Sequence, residues 1–72
     1  MRNMIFVFKT GIKSKKHASI ISPHLDKLLP NAKWNFDLED CDKILRVESR
    51  ENIVLAVINF SKLHNFPCEE LE

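Results

Sequence analysis

What most limits the folds open to this chain is how often its hydrophobic period changes within 72 residues. Ile5–Phe8 reads Ile-Phe-Val-Phe, a run of β-formers that is apolar on both faces, as a central strand requires. Thr10-Gly11 breaks the run. A helical period follows, with Ala18, Ile21, Leu25 and Leu28 on one face and Ser14 as the capping residue. Pro23 lies inside this stripe and removes one backbone donor. A helix starting only at Ser22-Pro23 is the alternative, but the stripe already begins at Ala18, so the longer helix Ser14–Leu29 is expected. Pro30-Asn31 ends it.

Trp34, Phe36 and Leu38 then alternate with Lys33, Asn35 and Asp37, the period of a half-buried strand. Glu39–Asp42 is a polar turn, and Ile44–Glu48 returns as a second strand with Leu45 and Val47 on one side. A helix Ser49–His64 is expected next, capped by Ser49, with Ile53, Val57, Phe60 and His64 on one stripe. Asn65 suits a left-handed residue after it, Pro67 confirms the stop, and Cys68–Leu71 can form a last short strand. The expected order is β-α-β-β-α-β over a single domain, residues 1–72. This predicts an α+β, ferredoxin-like sandwich: a four-stranded antiparallel sheet in strand order 4-1-3-2 with two helices on one face. Ala18, Ile21, Leu25, Leu28, Ile53, Val57 and Phe60 are the expected helical core.

A chain this short buries only about 60% of the surface it exposes when unfolded, which leaves no room for a lidded multi-residue active site. Its 11 basic and 10 acidic residues nearly cancel, which argues against nucleic-acid binding. The balance is uneven along the chain: Asp26 is the one acid before Asp37, while residues 13–16 alone hold three lysines. Two cysteines, Cys41 and Cys68, are too few for a disulfide framework and fit no zinc spacing, so a reduced, cytoplasmic setting is expected. The apolar run Met4–Phe8 is too short for a signal-peptide core or a membrane span.

The element order resembles that of the heavy-metal-associated domains of copper chaperones and metal-transporting ATPases. The likeness is carried by Phe8-Lys9-Thr10, Ile21-Ser22-Pro23-His24-Leu25 and Trp34-Asn35-Phe36-Asp37-Leu38. Lys43-Ile44-Leu45-Arg46-Val47 and Asn65-Phe66-Pro67-Cys68 continue it, the latter in place of the family's Gly-aromatic turn. Many such domains carry Cys-x-x-Cys just after the first strand. Alignment on the Ser-Pro step of helix 1 puts Ser14 and His17 at those positions; alignment on Pro30 puts Lys15 and Ala18 there. Neither register supplies a thiol, although copper(I) is soft and is held by thiolates. The hydroxyl of Ser14 cannot replace one. His17 offers a single imidazole beside Lys15 and Lys16, and a histidine in a first helical turn is expected to be exposed.

The topology gathers Thr10–His17, Glu39–Asp42 and His64–Cys68 at one end, so His17, His64, Cys41 and Cys68 form the one substitute ligand set available to a metal carrier. His64 and Cys68 also suit ordinary packing, and His24 is expected on the outer surface of helix 1 without a partner. Lys13, Lys15 and Lys16 face Glu39, Asp40 and Asp42 across this end, either as solvated charges or as a docking surface. No carboxylate orients His17 and no Gly-rich turn offers an oxyanion hole or phosphate loop, so no enzyme is expected. Phe6 and Phe8 on strand 1 suit RNA stacking, but strand 3 lacks matching aromatics. No bound cofactor is expected beyond weak transition-metal binding. The chain is expected to be a non-catalytic binding or interaction module. Its partner, a protein or a second copy, is expected at the loop end or on the open sheet face, where Ile5 with Val7 or Phe6 with Phe8, plus Ile44 or Leu45, lie uncovered.

Overall fold

The computed structural model describes residues 3–37 and 43–71. The elements follow in the order β1 (Met4–Thr10), α1 (Lys15–Leu28), β2 (Lys33–Asp37), β3 (Ile44–Ser49), α2 (Val54–Leu63) and β4 (Cys68–Leu71). The strands form one sheet in the order β2-β3-β1-β4, with every neighbouring pair antiparallel. This is the α+β class, with the four-stranded antiparallel sheet and two helices that the periods predict. The polar turn Glu39–Asp42, together with Leu38 and Cys41, lies outside the described residues.

Strand β1 sits between β3 and β4 as one of the two interior strands of the sheet. Phe6 stands opposite Val47 and Phe8 opposite Leu45, so these four side chains share one face. Trp34 and Phe36 extend that face across β2. Both helices close over it: Ala18, Ile21, Leu25 and Leu29 from the α1 segment join Ile53, Val57 and Phe60 from the α2 segment in one core. Ile12 and Phe66 complete the core from the two loops beside β1 and β4, with Ile12 fully buried. Ile5, Val7 and Ile44 face the other way. The open-face member of β3 is therefore Ile44, and Leu45 is a core residue. Ile5 is 56% exposed on that face, whereas Ile44 is buried.

Helix α1 runs through Pro23 as one element, and Ser14 caps it: the Ser14 Oγ accepts the His17 backbone N–H at 3.1 Å. Ser22 turns its hydroxyl back onto the Ala18 carbonyl at 2.7 Å. The expected core position Leu28 is a correction, because Leu28 is exposed and Leu29 is buried. From Ala18 the buried steps are three, four and four residues, close to the helical period. Leu29 is also the capping residue, at φ −123° and ψ 60°, where the chain leaves the helix.

The start of α2 is a second correction. Ser49 does not cap it, because the β1–β3 ladder continues to Met4 opposite Ser49 and keeps that serine in the strand. Its hydroxyl instead accepts the Glu51 N–H at 3.1 Å. The helix begins at Val54, whose N–H is accepted by the Asn52 side-chain oxygen at 3.0 Å. At its far end Asn65 adopts φ 60° as expected. Phe66 N–H reaches the Ser61 carbonyl and Asn65 N–H the Lys62 carbonyl, the paired bonds of a Schellman stop. Among the described residues no helix is long and apolar enough to cross a membrane.

The Leu28/Leu29 assignment is tested by urea unfolding. Leu29→Ala is expected to cost about 2–5 kcal/mol and Leu28→Ala under about 1 kcal/mol. Equal losses contradict the placement.

Candidate functional site

The end of the sheet where β1 runs into α1 holds the residues that match the resembled metal loop. Thr10 and Gly11 anchor it. The Thr10 N–H and hydroxyl both donate to the Lys43 carbonyl, at 3.1 and 2.6 Å. The Gly11 N–H donates to the Pro67 carbonyl at 2.9 Å. A side chain at Gly11 would put its Cβ 2.5 Å from Pro67 Cδ, so this close approach requires glycine. Ile12, fully buried, then turns the chain under the helices.

Ser14 and His17 are each engaged locally. Ser14 is the cap described above, and its hydroxyl is held by that role. His17 is half-buried, not exposed as the sequence predicts, because its ring meets Phe66 edge-on at 6.1 Å between centroids. Phe66 in turn meets Phe60 at 6.1 Å, and Phe60 meets His64 at 4.3 Å. The rings of Phe66 and Phe60 thus stand in the chain of contacts that leads from His17 to His64. The final member is His24, whose ring lies 4.9 Å from that of His64, tilted by 35°. His24 therefore does have a partner, contrary to the sequence expectation. Two helices lying side by side on one sheet face bring their flanking residues together, and the flanks are what a stripe-based reading sets aside.

Cys68 opens β4 opposite Thr10, half-buried against the core. It is a free thiol. Burial pushes its pKa from 9.0 up to about 11, further from the thiolate form that binds metals. Cys41, the fourth member of the substitute set, lies outside the described residues, as do Glu39, Asp40 and Asp42. Among the described residues no group of three or more His, Cys, Asp or Glu side chains is placed to hold a metal ion. Lys13, Lys15 and Lys16 are exposed. On the other flank of α1 the Trp34 indole N–H donates to Asp26 at 3.2 Å, which ties that helix to β2. Neither the sequence spacing nor the stripe signals this pair.

Searches against protein-family models, curated proteins and solved structures each return no match to this chain.

The buried thiol has a pH signature. Its folded pKa is raised, so the stability contributed by the neutral group is fully present below pH 9.0 and is lost as pH rises through about 11. Cys68→Ala lacks this titration, so its stability in urea should fall less steeply across that interval than that of the wild type. Parallel slopes would mean that Cys68 is freely solvated.

Proposed function

We propose that this chain is a ferredoxin-like domain of heavy-metal-associated type in which the metal loop serves as a structural cap, and that it acts as a non-catalytic, cytoplasmic interaction module. The observation that carries this reading is the state of the two positions matching the family motif. Ser14 is bound to the His17 backbone N–H, and the His17 ring packs on Phe66. The Ser14 hydroxyl is spent on capping the helix, and neither it nor the His17 imidazole is a thiolate. The one described thiol, Cys68, is half-buried, and burial further disfavours the thiolate form that a metal would need. A substitute carrier set is disfavoured because the His17 ring contacts Phe66 and the His64 ring Phe60, and among the described residues no three His, Cys, Asp or Glu side chains converge.

Interaction is supported by what stays uncovered. Ile5 on the open sheet face is 56% exposed, and Val7 beside it pairs across to Leu71. These residues are flanked by Lys9, Arg46 and Glu48, a mixed rim around a small apolar centre of the kind interfaces use. Self-association through this face is the form this proposal takes for the chain alone.

Two measurements test it. In competition with a copper(I) chelator, the wild type should not hold copper(I) with two-thiolate affinity. The double variant Ser14→Cys with His17→Cys should gain at least about a hundredfold, because it restores two soft ligands at i and i+3 of one helix start. No gain would refute the alignment to the metal loop, and tight binding by the wild type would refute the loss of function. Sedimentation over a wide concentration range should show a dimer that Ile5→Lys abolishes; a strictly monomeric wild type would remove the self-association.

A further inference from the structure

We propose that His24 and His64 form a two-imidazole site for a borderline divalent cation of the nickel, copper(II) and zinc class, spanning α1 and the end of α2 with water in the remaining positions. The site is separate from the loop that resembles a copper(I) centre, and it does not depend on the proposed loss of that centre.

The spacing is the first support. A metal–imidazole bond is about 2.0–2.1 Å, and the ring centre lies roughly 1.1 Å beyond the nitrogen, which places each centroid about 3.2 Å from the metal. Two imidazoles on adjacent positions, about 90–110° apart, then have centroids roughly 4.5–5.2 Å apart. The His24 and His64 centroids are 4.9 Å apart. The χ2 torsion of histidine is broad, so rotation of the exposed His24 ring can turn a nitrogen toward His64.

The surroundings are the second support. His64 is half-buried with its ring on Phe60 at 4.3 Å, which limits its motion and lowers the cost of ordering a chelate. It is also the C-terminal capping residue of α2, where the helix presents carbonyl groups and a partial negative charge that favours a cation. His24 is exposed and gives the ion access from solvent. Lys27, one turn further along α1, adds positive charge, but it is exposed and its stem lets the ammonium swing into water. Imidazole suits nickel, copper(II) and zinc, and among these copper(II) should bind most tightly.

Nickel(II) is the probe of choice, since it does not oxidise thiols and its paramagnetism reports position. Titrated into the intact chain at about pH 7.5, it should bind at one-to-one stoichiometry. Amide and ring signals around His24 and His64 should broaden first. His24→Ala and His64→Ala should each weaken binding at least about tenfold, while His17→Ala leaves it unchanged. His24 is exposed, so His24→Ala and His24→Asn keep the test decisive even where the His64 variant disturbs the packing on Phe60. Broadening centred elsewhere, affinity no better than that of a one-histidine peptide, or insensitivity to both His24 variants would overturn the site. Copper(I) competition reads the loop instead, so the two failures are distinguishable.

Discussion

The Thr10–Gly11 step holds this structure in register. It lies at the end of β1, one of the two interior strands, and it fastens the start of β3 and the entry to β4 at a single point. Thr10 is buried and gives two hydrogen bonds to the Lys43 carbonyl, while Lys43 itself sits at φ 52° in the left-handed region. This part-buried pair of bonds to one carbonyl holds Lys43 in that conformation. One residue later, the Gly11 N–H bonds to the Pro67 carbonyl, and a Cβ at that position would lie 2.5 Å from Pro67 Cδ. Because strand pairing alternates faces, a one-residue slip here would turn Phe6 and Phe8 away from the helices and bring Ile5 and Val7 inward.

The same fastening shapes the candidate loop. Ile12 is drawn into the core immediately after Gly11, which leaves only one residue before Ser14 must begin the helix. The cap and the His17–Phe66 contact follow from that short path. A metal loop needs side chains that are free to converge on an ion. Here the path commits the Ser14 hydroxyl to the helix cap and sets the His17 ring against Phe66, while His24 and His64 meet at the flanks of the helices.

Much of this was legible in the sequence because it follows from periodicity. The runs at Ile5–Phe8 and Trp34–Phe36, the helix through Pro23 and the stop at Asn65 each rest on local chemistry that the tertiary structure did not override. Two local expectations failed for a non-local reason. Ser49 has the right chemistry for a cap, but the ladder with Met4 claims it first. Leu28 fits the stripe as well as Leu29 does until the chain leaves the helix at Leu29 and that side chain turns inward. The site was less legible. That His17 would be shielded by Phe66, or that His24 would find His64, depends on how two helices lie against each other, and no spacing along one helix carries that information. The Gly11–Pro67 approach was equally hidden, since the two residues are distant in sequence.

A double-mutant cycle on Gly11 and Pro67 tests most directly whether this contact sets the loop end. Urea unfolding would be measured for Gly11→Ala alone, Pro67→Ala alone and the pair. The alanine Cβ at position 11 meets mainly Pro67 Cδ and Cγ, at 2.5 and 2.8 Å, and both atoms are absent from alanine. Gly11→Ala should therefore cost about 1–3 kcal/mol in the wild-type background, as overpacking does, and under about 1 kcal/mol when Pro67 is already alanine. An equal cost in both backgrounds would contradict the account, because the glycine would then be required for some reason other than its contact with Pro67.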